Sequence, residues 1–259
     1  MSDVLLVLVP ALVLFLVTWL GFRRPRWWIS VLLAIGAVLV ALSVVWKLSS
    51  VRAGVLGPTV LRFETTEPVV ALTLDDGPTV AYTKPVLDLL EEAGAHATFF
   101  LVGRELEAHP ELGEAILAGG HELGNHSWTH PRLVFASRAS LEAEVAKTDA
   151  LLRDVGATGP IPFRPPYGKR LLGLHAVLGA RPAVLWDVEP ESDRVLAEDP
   201  VGMARHVVEQ ARPGSVILLH AMYESREPTR LALPAILRGL SEKGLRVTTL
   251  RELRELGAR

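Results

Sequence analysis

The 259 residues contain no cysteine, which excludes a disulfide framework, a thiolate zinc site, an iron–sulfur cluster and a cysteine nucleophile. Neither an internal repeat nor a low-complexity tract occurs, and no basic run follows residue 50. Past that point 23 basic side chains face 28 acidic ones, a net charge of −5, which argues against a nucleic-acid partner. Nothing points to a nucleotide or an organic cofactor. What the chain has in quantity is apolar: 49% of its residues are hydrophobic and the mean hydropathy is +0.31. It is too apolar for disorder and long enough to bury a core without covalent staples.

Much of that hydropathy sits at the N-terminus. Val4 to Phe22 carries no charge, and as a helix rising about 1.5 Å per residue it spans about 28 Å, close to the hydrocarbon thickness of a bilayer. Trp27 to Trp46 is a second such run. Between them stand Arg23, Arg24, Pro25 and Arg26, followed by Trp27 and Trp28, a cationic turn with aromatic anchors. Residues 1–46 therefore predict two transmembrane helices, about 4–22 and 27–46, forming a hairpin. The positive-inside rule puts the turn in the cytoplasm and the rest of the protein outside the cell. Two other readings are buried core helices, or an export signal ending near Ala41-Leu42-Ser43.

Residues 47–66 show no periodicity and read as a linker, and a domain of about 190 residues follows over 67–259. Seven β-rich runs recur there: Val69–Leu74, Thr98–Val102, His121–Asn125, Ile161–Arg164, Ala183–Val188, Ser215–Leu219 and Arg246–Leu250. Helical patterns separate them, among them Lys84–Ala93, Ser140–Val155 with Ser140 as cap, and Leu231–Lys243 closed by Gly244. Repeated β-α units imply parallel strands, and closure into a barrel removes exposed edges. In such α/β folds chemistry gathers at the C-terminal strand ends.

Polar residues collect at those ends. The first strand runs into Asp75-Asp76-Gly77-Pro78, two adjacent carboxylates that call for a cation or an arginine nearby. The third is followed by His126-Ser127-Trp128-Thr129-His130. On a helical turn the two imidazoles would share a side, and with one carboxylate of the Asp pair they make a His₂Asp metal set that leaves positions open for water and substrate. After the fourth comes Arg164-Pro165-Pro166-Tyr167-Gly168, where Arg164 can neutralise a carboxylate and the prolines fix an extended backbone. The sixth strand ends in His220, either an acid or base or a packed core histidine. Tyr82 and Trp128 are candidates for stacking on a ligand ring or for the core. His96, His109, His121, His175 and His206 have no partner set and read as solvated or packed.

Taken together, Thr73-Leu74-Asp75-Asp76-Gly77-Pro78, His126-Ser127-Trp128-Thr129-His130, Arg164-Pro165-Pro166-Tyr167-Gly168 and Leu218-Leu219-His220 resemble four of the five ordered motifs of NodB-homology polysaccharide deacetylases, carbohydrate esterase family 4. The resemblance covers about Glu67 to Leu250. It implies an α/β fold, a distorted (β/α) barrel of about seven parallel strands. It also implies that Asp76, His126 and His130 hold a divalent metal, usually Zn²⁺, with Co²⁺, Mn²⁺ or Ni²⁺ as alternatives. Asp75 would be the base for the attacking water and Arg164 would orient it. The Tyr167 backbone N–H would stabilise the oxyanion, and His220 would protonate the leaving amine. Leu218 would line the acetyl pocket, with Tyr167, Pro166 and Trp186 as further substrate contacts.

The remaining motif departs from the family pattern. In Trp186-Asp187-Val188-Glu189-Pro190-Glu191-Ser192-Asp193-Arg194, Ser192 and Asp193 stand where an Asp-Trp pair is common. Asp187, Glu189 and Asp193 are the candidate partners of His220. The implied activity is removal of the N-acetyl group from amino-sugar units of a cell-wall or extracellular polysaccharide, or of an oligosaccharide, by an enzyme held at the cell membrane. Two rival readings are a metal-retaining glycan-binding protein that has lost catalysis and a deacetylase of small N-acyl amines.

Overall fold

The computed structural model describes residues 27–48 and 57–257. The chain divides into two units, Met1–Val51 and Arg52–Arg259. The described part of the first is one helix, α1 (Trp27–Leu48), whose stretch Trp27–Trp46 has a mean hydropathy of 2.7 and is long and apolar enough to cross a membrane. The span expected at 4–22 and the arginine turn lie outside the described residues.

The second unit is α/β with parallel strands. Its strands are β1 (Thr59–Val60), β2 (Val69–Asp75), β3 (Thr98–Leu101), β4 (Glu122–Asn125), β5 (Ala183–Val184), β6 (Val216–His220) and β7 (Arg246–Thr248). The order β4-β3-β2-β6 forms the main sheet, and β7 pairs with the first residues of β2. β1 pairs with β5, and single parallel bridges at Asn125–Phe163, Phe163–Ala183 and Val188–Ile217 continue the pairing from β4 towards β6. The helices are α2 (Thr83–Glu92), α3 (Gly103–Ala108), α4 (Pro110–Ala118), α5 (Arg138–Asp154), α6 (Leu172–Leu178), α7 (Pro200–Gln210), α8 (Glu227–Glu242) and α9 (Leu250–Gly257).

All seven residues of β2 are buried, which is why its sequence is a continuous apolar run rather than an alternating one. Period-two alternation sorts them between two packed layers. Val70, Leu72 and Leu74 join Phe99, Leu101, Ile217 and Leu219 under the helices. Val69 and Ala71 face the other way with Phe100, Val184 and Val216. The same parity puts Thr73 and Asp75 on that second face, and Leu218 and His220 with them.

Several expectations shift. Ile161–Arg164 is not a strand; only Phe163 bridges its neighbours. The Ala183–Val188 run breaks after Val184, because Asp187 turns to accept Ser215 Oγ and the Val216 amide. Part of the expected linker is built into the domain as β1, and Phe63 donates its amide to the Gly214 carbonyl at 2.9 Å. The cap of α5 is Ser137, whose hydroxyl accepts the Ser140 amide at 3.2 Å, rather than Ser140 itself.

Gly214 has φ +83°, and a Cβ there would run into the Phe63 carbonyl. Gly244 has φ +79° with open space around it. Gly214→Ala is expected to cost more than about 2 kcal/mol, through both strain and collision, while Gly244→Ala costs about 1 kcal/mol from strain alone. Urea unfolding of the two variants, compared at equal slope, checks the difference.

Candidate active site

The register of the sheet brings two expected site residues side by side: Asp75 is the Cα partner of His220 across the β2–β6 pair. Parallel partners of equal parity project to the same face, so the carboxylate and the imidazole share one hollow. A cavity of about 310 Å³ opens there, lined by Asp75, Asp76, His126, His130, Tyr167 and His220, with Trp186, Leu218 and Glu191 among the other walls. Pro166 is buried and does not line it.

Arg164 underlies the hollow without any exposed surface. Its Nη1 donates to Asp75 Oδ1 at 2.6 Å and to Thr73 Oγ1 at 2.8 Å. Its Nε and Nη2 donate to the carbonyls of Val184 and Leu185. The guanidinium lies 4.2 Å from the Phe100 ring centroid, and the Phe100 ring packs flush on Gly124, where a Cβ would stand 2.6 Å from it. Burial pushes the guanidinium down and Asp75 pulls it back up; so strong a base stays charged. With Oδ1 of Asp75 engaged, Oδ2 faces His126 Nε2 at 3.5 Å.

Asp76, His126 and His130 each offer one donor atom, and these lie within 4.8 Å of one another. His126 Nε2 and His130 Nε2 are 3.2 Å apart, and Asp76 Oδ1 is 3.8 Å and 3.3 Å from them. His126 Nδ1 lies 2.8 Å from the Arg164 carbonyl, which can only accept, so the proton is on Nδ1 and Nε2 carries a lone pair. Burial pushes His126 down to about 3 despite the opposing charge of Asp76, and it lowers His130 as well. Two neutral imidazole nitrogens and a carboxylate oxygen pointing at one spot fit a divalent ion. The His126–His130 segment is a loop and not the expected helical turn: Ser127 (φ +68°) and His130 (φ +57°) are left-handed. Asn125 Oδ1 accepts the Ser127 amide, and Glu144 accepts the amides of Trp128 and Thr129, so the loop is fastened from β4 and from α5.

The acid beside His220 is Glu191, which corrects the expected choice among Asp187, Glu189 and Asp193. Glu191 Oε2 lies 2.6 Å from His220 Nδ1 and also accepts the His220 amide at 2.9 Å, and Oε1 accepts Thr229 Oγ1 at 2.7 Å. The other three acids are engaged elsewhere: Asp187 by the Ser215 hydroxyl and the Val216 amide, Glu189 by the Ser192 amide, Asp193 by the amides of Val195 and Leu196. No local pattern singles out Glu191, because its partners are 29 and 38 residues away. Burial works to lower His220, but the hydrogen bond and charge of Glu191, with Asp75 and Asp76, outweigh it and raise the imidazole to about 9.

Tyr167 stands half exposed with φ +58°, its ring 4.7 Å from that of His130 and covered by Arg132 at 4.2 Å. Trp186 packs over Gly168 and beside Arg164. Tyr82 is covered by Arg230, and Trp128 by the Lys147 ammonium, so neither offers that ring face to a sugar.

The polysaccharide deacetylase family model matches residues 62–178. The chain is 34% identical over 206 residues to a chitooligosaccharide deacetylase of Sinorhizobium fredii, covering 74% of this chain and 94% of that one. It is 33% identical over 199 residues to the peptidoglycan-N-acetylmuramic acid deacetylase PdaC of Bacillus subtilis, covering 74% of this chain and 41% of PdaC's length. The solved structure of the Bc1960 peptidoglycan N-acetylglucosamine deacetylase matches with a TM-score of 0.70 at 30% identity, over 75% of this chain and 92% of that one. The chain belongs to the polysaccharide deacetylase family.

A raised imidazole contributes stability that is complete below pH 6.5 and is lost as the pH rises through about 9. In the metal-free protein the His220 ring is expected to titrate near 9 by NMR. In Glu191→Gln its titration falls well below that value, since burial loses its main opponent; an unmoved midpoint would show that Glu191 does not hold the proton.

Proposed function

We propose that the protein is a metal-dependent N-deacetylase of amino-sugar polymers, with peptidoglycan as its first substrate and chitin-like oligosaccharides as the second. The observation that carries this reading is the Asp75–His220 pairing, a buried arginine-held carboxylate and a raised imidazole in one cavity with the Asp76, His126 and His130 donors. The names of the relatives support the substrate class.

Asp76, His126 and His130 would hold the ion, zinc being the first choice for two imidazoles and a carboxylate. When bound, such an ion polarises an acyl oxygen and acidifies water. Asp75 takes the proton of the attacking water on Oδ2, while Arg164 keeps Oδ1 occupied and the carboxylate oriented. The amide of Tyr167, in a turn closed by the Gly168 and Lys169 amides donating to the Pro165 and Pro166 carbonyls, donates to the developing oxyanion. His220 enters protonated, its Nδ1–H held by Glu191, and gives its Nε2 proton to the departing nitrogen. Acetate and a free amine leave. Leu218 and Trp186 form the apolar wall for the acetyl methyl group, and the single bridges around Phe163 support a sheet curled into a distorted barrel about this hollow.

The N-terminal apolar segment would anchor the domain outside the cell, next to the wall. In that arrangement α1 is one span, Val4–Phe22 is the other, and the Arg23–Arg26 turn is cytoplasmic. The intact Asp75, Arg164, Glu191 and His220 set speaks against a binder that has lost catalysis.

The full chain in detergent is expected to release acetate from N-acetylglucosamine oligomers and from peptidoglycan, to stop after chelation, and to recover with Zn²⁺. Asp75→Asn should lower kcat by about 10² to 10⁴ with the fold retained; undiminished turnover in that variant would falsify the mechanism. Removal of residues 1–50 is expected to shift the protein from the membrane fraction to the soluble fraction, as followed by alkaline extraction.

A further inference from the structure

A second cavity, of about 330 Å³, is lined by Glu122 at the start of β4, Ile161 ahead of Phe163, and Leu250, the first residue of α9, among others. None of its lining residues lines the cavity around His126 and His220. Four arginines surround it: Arg153 from α5, Arg181 ahead of β5, and Arg251 and Arg254 from α9. They gather in a part of the chain whose net charge is −5.

Their counter-charges are already engaged. Asp149 accepts two hydrogen bonds from Arg181, at 2.7 and 3.1 Å, and one from Asn125 Nδ2. Glu122 is buried; its Oε2 accepts Thr98 Oγ1 at 2.7 Å and the Arg251 amide at 3.0 Å, while its Oε1 is 3.8 Å from Arg251 Nε. Donors remain on the cationic side. The Nε atoms of Arg181 and Arg251 are buried with no acceptor. Arg153 gives one proton to the Asp149 carbonyl, Arg251 gives one to the Thr158 carbonyl, and Arg254 makes no hydrogen bond or ion pair with a described residue.

Four guanidinium groups around one hollow repel each other, and an entering anion relieves that repulsion while accepting the unspent hydrogen bonds. Guanidinium forks match the oxygens of phosphate in a bidentate way. Apart from Glu122, whose Oε2 already accepts the Thr98 hydroxyl and the Arg251 amide, the rest of the wall is apolar, with Phe63, Ile161, Val184 and Leu250 beside prolines, and it suits the organic part of an ester rather than a bare ion. We propose that this cavity binds a phosphate ester, its oxygens on Arg153, Arg181, Arg251 and Arg254 and its carbon part against the apolar wall. A soluble glycerol-type phosphate and the headgroup of an anionic phospholipid present the same chemistry.

The test is calorimetric titration of the full chain, held in phosphatidylcholine nanodiscs, with glycerol 1-phosphate, inorganic phosphate and glycerol. The ester is expected to bind with a Kd below about 1 mM, inorganic phosphate about tenfold more weakly, and glycerol not at all. Arg254→Gln should weaken the ester about tenfold while leaving acetate release unchanged, since Arg254 is remote from Asp75 and His220. Repeating the titration in nanodiscs containing about one-third phosphatidylglycerol separates the sources. Loss of the ester signal assigns the site to the lipid headgroup, and its persistence assigns it to a soluble ester. Absence of ester binding at 10-fold the expected Kd, equal binding of inorganic phosphate, or an affinity unmoved in the Arg153→Gln, Arg254→Gln double variant would each overturn the proposal.

Discussion

Arg164 is a positive charge with no exposed surface, and among the described residues only Asp75 pairs with it through a charge of its own. Burying such an ion costs several kcal/mol, which is offset only when its other acceptors, Thr73 Oγ1 and the carbonyls of Val184 and Leu185, stand in their places. Those acceptors belong to β2 and to the segment of β5. Correct assembly of the sheet and completion of the site are therefore the same requirement. The backbone of Arg164 extends the constraint: its amide bonds to the Asn125 carbonyl, and its own carbonyl fixes which nitrogen of His126 is protonated. One residue thus orients the carboxylate and leaves an imidazole nitrogen bare.

Backbone strain concentrates in the same place. Of the non-glycine residues with positive φ among the described ones, Asp76, Ser127, His130 and Tyr167 belong to the site, and Phe135 follows five residues after His130. Each such conformation costs about 1 to 3 kcal/mol and persists where surrounding bonds over-determine it. Here those bonds are identifiable: Asp76 donates its amide to Phe100, Ser127 to Asn125, and His130 to Ser127 Oγ. The donor groups are held before any ligand arrives, so little reorganisation remains for the reaction.

Much of this was legible in the sequence wherever the signal is local. The buried run of β2 carries its meaning within a few residues; the histidine spacing brings two imidazoles together, though not on a helical turn, and of the two prolines after Arg164 only Pro165 is extended, Pro166 opening a tight turn to Gly168. Glu191 carries no local signal: its role is defined by His220 and Thr229, and the neighbouring Asp187, Glu189 and Asp193 offer the same chemistry from sequence alone. The segment Ile161–Arg164 looks like a strand by composition but is committed to delivering Arg164, which leaves one bridge for pairing. The histidine loop departs from a helical turn because Asn125 and Glu144 compete for its amides, and neither residue is marked by any motif. The domain-side part of the linker has no periodicity because β1 is two residues long.

Glu191 and His220 lie beyond residue 178, whereas Asp75, Asp76, His126, His130, Arg164 and Tyr167 lie before it. On the proposed function, capture of an ion and return of a proton would be encoded in separate stretches of chain, brought together by the β2–β6 register and by the Arg164 bonds to the Val184 and Leu185 carbonyls. Divergence can act on one stretch without touching the other. On that same reading, a lineage that altered Glu191 or His220 would keep the Asp76, His126 and His130 donors and the walls of the hollow, so a lectin-like descendant would be one substitution away from this architecture.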